Sequence, residues 1–226
     1  MSAASKVILI FGAGPRVGAG IADAFASNGY KIALASRTPN AQTDGLHRIH
    51  IPCDLSDPAS VPGAFSKTRE LLGVPSVVVY NAYGGNPTDY RDPLALPVDV
   101  FARNLTINTT SVYAAAQQAR ECFAELPSSA ARAFIYTGNS LNERICAPLM
   151  DLGVGKTATA HLIEYLAEAY ALRGFKFYYA DQRKADGSPM WAGLDAEAHG
   201  KFYLELAEGE QSQGQWQQTF VKGGGV

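Results

Sequence analysis

The stretch VILIFGAGPRVGAGIADAFASNG, residues 7–29, gives the clearest indication of the fold of this chain. It opens with five apolar residues, passes through a glycine-rich turn and continues with apolar residues at helical spacing. Gly29 follows the helical pattern, where a residue in the left-handed conformation commonly closes the last turn. The stretch therefore predicts a buried strand, a tight turn and a helix, in that order.

Short apolar runs and helical patterns alternate along almost the whole chain. Strands are predicted over residues 7–11, 31–36, 48–52, 76–80, 133–137, 175–180 and 215–221. Helices are predicted over residues 17–28, 58–72, 98–126, 153–173 and 195–207. Because several strands are apolar on both faces, helices must cover both sides of the sheet. We expect an α/β fold with a doubly wound parallel sheet of about seven strands, in one domain over residues 1–226.

The size and composition exclude several classes of protein. A chain of 226 residues with 47% hydrophobic and 18% charged residues is typical of one folded globular domain. The net charge of -2 provides no basic surface for nucleic acid or an anionic membrane. Three scattered cysteines favour a reducing compartment, and the histidines lack the spacing of a metal site, so we expect no metal. The N-terminal apolar run is too short for a signal sequence or a membrane span, which predicts a cytoplasmic protein.

The glycine-rich turn predicts a site for the phosphates of a dinucleotide. Gly14, Gly18 and Gly20 have the spacing G-x-x-x-G-x-G, and small residues there allow the backbone to approach a pyrophosphate closely. The start of the following helix, at Arg16 and Val17, supplies amide groups and the positive end of the helix dipole. Glycines also mark ordinary turns, but the strand before this turn and the helix after it favour cofactor binding.

The end of the second predicted strand indicates which nicotinamide cofactor is bound. An acidic residue there commonly bonds the ribose hydroxyls of NAD(H), whereas this strand ends in Ser36 and Arg37. Together with Arg16, Arg37 suits the 2′-phosphate of NADP(H), because a guanidinium group binds phosphate through two hydrogen bonds. Both arginines are also compatible with a solvated surface. We expect NADP(H) rather than NAD(H).

Further motifs resemble the short-chain dehydrogenase/reductase family over nearly the whole chain, which implies a Rossmann-type fold. The segment PCDLSD, residues 52–57, resembles the stretch after the third strand whose aspartate bonds the adenine amine in relatives. The segment VVVYNAYGG, residues 77–85, resembles the Asn-Ala-Gly motif after the fourth strand, with Tyr83 in place of the glycine. The resemblance thus adds four residues to the cofactor-binding set: Asp54, Leu55, Asn81 and Ala82.

The same resemblance assigns catalytic side chains. The segment NLTINTTSVYAAAQQA, residues 104–119, is similar to the long helix that carries an active-site asparagine, here Asn108, which holds a water in the proton relay of relatives. The segment AFIYTGNSLN, residues 133–142, resembles the fifth strand and the turn where the family keeps a serine. Asn139 has the family spacing and Ser140 is one residue further on, and we favour Ser140 for its hydroxyl. Lys156 corresponds to the lysine that bonds the nicotinamide ribose.

The tyrosine of the family motif is missing from this chain. It would lie four residues before Lys156, where Leu152 has no proton to donate. A positioned general acid contributes about 10²–10⁴ in rate, so catalysis needs a substitute donor. Tyr83, Lys156 and Asp151 are the candidates. Each also has a simpler interpretation: Tyr83 packs against the cofactor, Lys156 binds only ribose, and Asp151 is an exposed carboxylate at a helix start.

The segment DQRKADGSPMWAG, residues 181–193, is expected to be a loop over the substrate. It replaces the Pro-Gly motif that follows the sixth strand in relatives, so the resemblance does not define contacts to the nicotinamide carboxamide. A loop after a strand end lies where ligands bind in such sheets. The alternatives are a plain surface loop or substrate contacts from one or two of four side chains: Tyr179, Asp181, Arg183 and Trp191.

Two functions follow from these residues. The first is an NADP(H)-dependent oxidoreductase that reduces a carbonyl, imine or activated alkene of a small organic substrate. An imine needs less help from an oxygen-directed acid and an alkene takes its proton at carbon, so both tolerate Leu152 better than a ketone does. The second is a non-redox isomerase, cyclase or sensor that binds the nucleotide structurally. Helices 98–126 and 153–173 correspond to those that form a dimer contact in relatives, which implies a homodimer or homotetramer.

Overall fold

One sheet organises the chain, and a computed structural model describes it for residues 6–38, 47–210 and 212–225. The strand order is β3-β2-β1-β4-β5-β6-β7-β8. The strands are β1 Val7–Phe11, β2 Lys31–Ser36, β3 Arg48–Pro52, β4 Val77–Tyr80, β5 Ala133–Thr137, β6 Lys176–Gln182, β7 Gln217–Val221 and β8 Gly224–Gly225. Strands β1 to β7 are parallel, and the two-residue β8 pairs antiparallel with β7. The prediction of a Rossmann-type doubly wound sheet of about seven parallel strands is confirmed.

Within the described residues, six α-helices cover the two faces of the sheet. They are α1 Val17–Ser27, α2 Ser60–Leu71, α3 Val98–Leu105, α4 Ser111–Glu125, α5 Met150–Tyr170 and α6 Ala196–Glu208. The long helix predicted over residues 98–126 is present, but a π-helical turn at Thr106–Thr110 separates α3 from α4. Such a turn widens the helix locally and is frequent at functional sites. It contains Asn108, one of the predicted catalytic residues.

The apolar residues of the strands divide between two buried layers. In β1, Val7, Leu9 and Phe11 pack on the side of α2, α4 and α5. Ile8 and Ile10 pack on the side of α1 and α6. Both faces of the sheet are therefore covered, which explains why the strands read as continuous apolar runs instead of alternating patterns.

Helices α1 and α6 approach each other closely, and Gly20 makes this possible. A Cβ atom at Gly20 would lie 2.3 Å from the carbonyl oxygen of Ala196, and one at Gly200 would lie 2.5 Å from the carbonyl oxygen of Gly20. Helix packing by itself thus requires a glycine at position 20, and the approach of Gly20 to a pyrophosphate stays a prediction. The contact places the start of α6 beside the first turn of α1.

The end of β6 differs most from the sequence prediction. The strand extends through Gln182, and Arg183 forms a further bridge with Pro189. Residues 181–183 are thus buried in the sheet and do not belong to the predicted surface loop. The ionic partners of Asp181 and Arg183 lie within the fold, so burial of these polar residues is tolerated. In the part of the chain that the structure describes, no helix has the length and apolar character to cross a membrane.

Candidate active site

The glycine turn joins the end of β1 to the start of α1. Gly12 has a φ of +80°, and the side-chain amide of Asn81 donates to its carbonyl oxygen at 2.9 Å. A Cβ at Gly12 would lie 2.5 Å from the backbone nitrogen of Ala82, so β4 holds the turn in place. A Cβ at Gly14 would meet nothing within 4 Å, so this part of the turn faces open space. The turn fits a pyrophosphate.

The amide groups at the start of α1 complete this site. Arg16 precedes the helix, and no side chain of the described residues caps it. The amides of Val17 and Gly18 can therefore donate to a ligand, whereas the amide of Ala19 donates to the carbonyl oxygen of Gly14 at 3.1 Å. A Cβ at Gly18 would lie 2.9 Å from the Cα of Ala13, so the helix start packs tightly on the turn. The predicted residues Gly14, Arg16, Val17 and Gly18 come together.

The ends of β2 and β3 form the neighbouring part of the edge. Ser36 donates to the carbonyl oxygen of Thr38 at 3.3 Å, and Arg37 is exposed. Hydrogen bonds from the backbone and hydroxyl of Ser56 lower the pKa of Asp54, and the charges of Arg37 and Arg103 lower it further. Sequence reasoning missed Arg103, which α3 brings to this edge and which no local pattern marks. Two guanidinium groups thus act on one exposed carboxylate.

Leu55, the other residue predicted at the adenine end, is buried. Its carbonyl oxygen accepts a hydrogen bond of 2.7 Å from the hydroxyl of Ser111 at the start of α4. This contact fixes the turn that carries Asp54. In the structure Leu55 therefore anchors the turn through its backbone carbonyl. Its direct contact with a cofactor stays a prediction.

Asn108 fixes the segment that follows β4. Its side-chain oxygen accepts from the amide of Gly84 at 2.9 Å, and its side-chain nitrogen donates to the carbonyl oxygen of Gly84 at 2.6 Å. The backbone carbonyl oxygen of Asn108 accepts from the hydroxyl of Thr159 at 2.5 Å. These contacts make Asn108 a positioning residue, and the relay water that the resemblance implies stays a prediction.

Lys156 lies in the middle of the carboxyl edge of the sheet. It is 4% exposed, and its Nζ donates to the carbonyl oxygen of Thr137 at 2.7 Å. The same nitrogen lies 4.3 Å from the centroid of the Tyr136 ring, which favours a cation. Burial lowers the pKa of Lys156 to about 7, although the negative charge of Asp181 opposes this shift. The ammonium can therefore lose and regain its proton near neutral pH.

Leu152, which the resemblance places at the position of the family acid, has an apolar side chain. It is buried, and a Cβ at Gly85 would lie 3.3 Å from the Cβ of Leu152. The alternative of an exposed carboxylate at Asp151 is wrong, because Asp151 is 1% exposed. Its Oδ2 accepts from the backbone of Asn86 and the side chain of Asn104, at 3.0 and 2.6 Å. Asp151 thus braces the segment after β4 against α3 and α5.

Tyr83 and the two residues considered for the serine position differ in their surroundings. Tyr83 is 65% exposed and lies outside the buried part of the site. The hydroxyl of Ser140 is buried and has no hydrogen-bond partner among the described residues. The side-chain oxygen of Asn139 accepts from the backbone of Leu141, and its carbonyl oxygen accepts from the hydroxyl of Tyr179 at 2.7 Å. Of the two residues weighed for the serine position, Ser140 has the free hydroxyl.

The end of β6 carries a buried ionic group that the sequence did not identify. Arg183 donates from Nε to Oδ2 of Asp181, and its Nη2 lies 3.4 Å from Oε2 of Glu143. Burial raises the pKa of Asp181, and the charge of Arg183 is the largest opposing influence. Of the predicted substrate contacts, Tyr179 is wholly buried against Asn139 and Trp191 is half-exposed. Only Trp191 lies in the loop itself.

These residues lie along one edge, at the carboxyl ends of neighbouring strands. The glycine turn follows β1, Arg37 follows β2 and Asp54 follows β3, whereas Asn81 and Ser140 follow β4 and β5. Ligands bind at this edge where the strand order reverses, here between β1 and β4. Among the described residues, no three His, Cys, Asp or Glu side chains are arranged to hold a metal ion. The edge fits an extended dinucleotide with Lys156 toward one end.

Sequence comparison identifies related proteins over most of the chain. The family profile described as "Enoyl-(Acyl carrier protein) reductase" matches residues 12–179. A short chain dehydrogenase/reductase of Cryptosporiopsis sp. is 44% identical over 232 residues. That alignment covers 98% of this chain and 94% of the relative.

Solved structures share the fold at low sequence identity. A 3-ketoacyl-(acyl-carrier-protein) reductase of Brucella melitensis, in complex with NADH, is 19% identical with a TM-score of 0.79, and 96% of each chain is covered. A metagenomic short-chain oxidoreductase in complex with NADP is 15% identical with a TM-score of 0.79. That comparison covers 98% of this chain and 99% of the other. At these identities the likeness shows the fold alone.

Proposed function

The chain belongs to the short-chain dehydrogenase/reductase family, and on this premise we propose that it is an NADP(H)-dependent oxidoreductase. The substrate is a small organic molecule with a carbonyl, an imine or an activated alkene. The observation that supports the proposal most strongly is the position of Lys156. Its buried ammonium, with a pKa of about 7, lies on the same edge of the sheet as the phosphate-binding turn.

Different residues of this edge bind different parts of the cofactor. The turn at Gly14 and the start of α1 receive the pyrophosphate, and Arg16 and Arg37 bind the 2′-phosphate. Asp54 lies where the adenine amine is held, and Lys156 bonds the nicotinamide ribose. The open space at Gly14 and the two exposed guanidinium groups support this assignment. NADPH, when bound, supplies the hydride for the reduction.

Lys156 is the proton donor in this proposal. Leu152 has no proton to give, Asp151 is engaged by three hydrogen bonds, and Tyr83 is largely exposed. The proton moves from Nζ of Lys156 to the oxygen, nitrogen or carbon that completes the reduced product. A donor with a pKa near the working pH is effective, because both protonation states are populated. The unpaired hydroxyl of Ser140 is available to bond the substrate oxygen or nitrogen.

The test combines nucleotide binding with a labelled hydride. We expect calorimetry to detect NADPH binding that is tighter than NADH binding, because only NADPH has a 2′-phosphate that Arg37 can bind. NADPH deuterated at the nicotinamide C4 should then deliver deuterium to a member of a panel of ketones, imines and activated alkenes. Mass spectrometry of the product detects the transfer. Tight binding without deuterium transfer to any substrate contradicts the proposal.

A lysine variant tests the donor. Lys156→Met removes the ammonium from the buried site, and we expect the turnover rate to fall by about 10²–10⁴. Lys67→Met is the matched control, because Lys67 is half-exposed on α2 and pairs only with the exposed Glu70 among the described residues. The control should keep the wild-type rate. An unchanged rate in Lys156→Met would exclude Lys156 as donor.

A non-redox function is the second candidate, and one observation favours it. Leu152 packs on Gly85 and leaves an apolar surface where relatives present an acid. On this alternative the nucleotide is bound for structure or signalling, and the reaction is an isomerisation or cyclisation. The deuterium experiment separates the two functions, because the label then stays on the nucleotide while substrate is still converted.

A further inference from the structure

A series of charged contacts begins at the surface and ends beside Lys156. Glu143, whose side chain is 46% exposed, contacts Arg183, and Arg183 contacts Asp181. The side chains of Arg183 and Asp181 are 6% and 4% exposed. Asp181 in turn acts on the charge of Lys156. None of these contacts has a part in binding the cofactor as proposed above, and the matched family profile ends at residue 179.

The strand register explains how Asp181 reaches Lys156. Tyr136 of β5 pairs with Tyr179 of β6, and both pack in the layer beneath α5. Side chains two residues apart on a strand share a face, so Asp181 also faces α5. Lys156 enters from α5 and places its Nζ over the ring of Tyr136. The carboxylate and the ammonium therefore share one face of two neighbouring strands.

Of the charges in this group, the carboxylate of Asp181 is the one that acts on Lys156. Burial raises the pKa of Tyr136 and of Tyr179, so these neighbours on β5 and β6 are neutral. On α5 itself, the carboxylate of Asp151 accepts hydrogen bonds from the backbones of Asn86 and Leu152 and from the side chain of Asn104. A buried ammonium needs a counter-charge to stay ionised, and Asp181 is the group that supplies it.

We propose that Asp181 is a positioning residue that acts as the counter-ion of Lys156, with Arg183 holding the carboxylate in place. The bridge from Arg183 to Glu143 anchors the group at the surface. Proton donation by Lys156 rests on the proposed function, whereas the electrostatic coupling of the two residues does not. The coupling is a property of the protein without substrate.

Titration of Lys156 by NMR tests the coupling directly. The Nζ and Cε signals of Lys156 are assigned in isotope-labelled protein by comparison with Lys156→Met. In Asp181→Asn we expect the titration midpoint of Lys156 to shift to lower pH, because the ammonium loses its counter-ion. Glu143→Gln, which removes the same charge farther away at the surface, should leave the midpoint close to that of the wild type. An unchanged midpoint in Asp181→Asn, or an equal shift in both variants, overturns the proposal.

A second variant covers the case in which Asp181→Asn does not fold. That substitution leaves Arg183 buried without its carboxylate, which can destabilise the protein for a reason unrelated to Lys156. The double variant Asp181→Asn with Arg183→Met removes both members of the pair. We again expect a lower midpoint for Lys156. A midpoint equal to that of the wild type in the double variant overturns the proposal.

Nucleotide binding gives a readout that a purely structural role would not move. The nicotinamide ring is cationic in NADP⁺ and neutral in NADPH, so a protonated Lys156 disfavours NADP⁺ relative to NADPH. The ratio of the two affinities should therefore change with pH as Lys156 titrates, and the change should occur at lower pH in Asp181→Asn. The same pH profile in both proteins contradicts the role of Asp181. Failure of both nucleotides to bind contradicts the proposed function instead, and the NMR titration still decides the coupling.

Discussion

Lys156 meets two opposing requirements, because it must be buried at the edge of the sheet and still carry a proton. Burial disfavours the ammonium, whereas the Tyr136 ring, the carbonyl of Thr137 and the charge of Asp181 favour it. The balance places the pKa at about 7. In relatives a tyrosine is the acid and the lysine assists it. In the proposed function Lys156 takes both roles, and a pKa of about 7 suits that combination.

The lowered pKa of Lys156 predicts a pH-dependent stability. The unfolded chain keeps this lysine protonated up to about pH 10.5, and the folded protein only up to about pH 7. Between these values the unfolded state binds more protons, so stability rises with pH. Relative to wild type, Lys156→Met should gain on the order of 5 kcal/mol in unfolding free energy near pH 7, and this gain should vanish toward pH 10.5.

Urea denaturation of the two proteins at a series of pH values measures this difference. Lys176, whose pKa burial lowers to about 8, is present in both proteins, so its contribution cancels. A stability difference that does not depend on pH between about 7 and 10 would show that Lys156 is not protonated differently in the folded and unfolded states.

Two close contacts in the fold are possible only because glycines lie there. The π-helical turn between α3 and α4 allows Asn108 to pack against Gly155, where a Cβ would lie 2.5 Å from the Cβ of Asn108. Helices α1 and α6 meet at Gly20 and Gly200. The second contact holds the start of α6 beside the glycine turn, so helix packing and cofactor binding depend on the same segment of α1.

Alanine at Gly200 should destabilise the protein. The added Cβ would lie 2.5 Å from the backbone oxygen of Gly20, and overpacking of this kind costs about 1–3 kcal/mol. Gly63→Ala in α2 is the matched control, because a Cβ there meets nothing within 4 Å and should stabilise the helix by about 0.5–1 kcal/mol. Thermal unfolding of both variants measures the contrast. Equal stability of the two variants would show that the helices separate without cost.

At the scale of the whole molecule, α4 and α5 keep an apolar surface exposed. Tyr113 on α4 and Val154 and Tyr165 on α5 are each more than two-fifths exposed, and Tyr165 reaches 67%. Large exposed apolar side chains mark an interaction surface where they form a continuous patch. The family resemblance implies a dimer contact through these helices, and the exposed residues are consistent with that prediction.

We expect a homodimer or a larger oligomer formed through α4 and α5. Light scattering should give a mass of at least twice the 24.1 kDa of the chain. Tyr165→Glu should lower that mass, because a carboxylate in an apolar interface lacks a partner. Leu94→Glu is the control, since Leu94 is 89% exposed and belongs to the segment before α3, outside α4 and α5. A monomeric wild-type protein would refute the prediction.

The strands and helices were predictable because their apolar patterns are local. The continuous apolar runs of β1 and β4 indicated a sheet covered on both faces, and the turn at Gly14 indicated the phosphate site. The boundaries at β6 were wrong, because Asp181 and Arg183 look like loop residues until their ionic partners are known. Similarly, Asp151 looked exposed because the residues that bury it lie far away in the sequence.

The apolar pattern and the glycines of the chain were enough to predict the doubly wound fold and the location of the glycine turn. The environment of Lys156, the unpaired hydroxyl of Ser140 and the burial of Asp181 at the end of β6 became apparent only in the folded protein. The reason is physical: hydrophobic periodicity and turn geometry are encoded between neighbours in the chain. Electrostatic interactions, in contrast, depend on distance and burial, and these arise only when separate strands and helices come together.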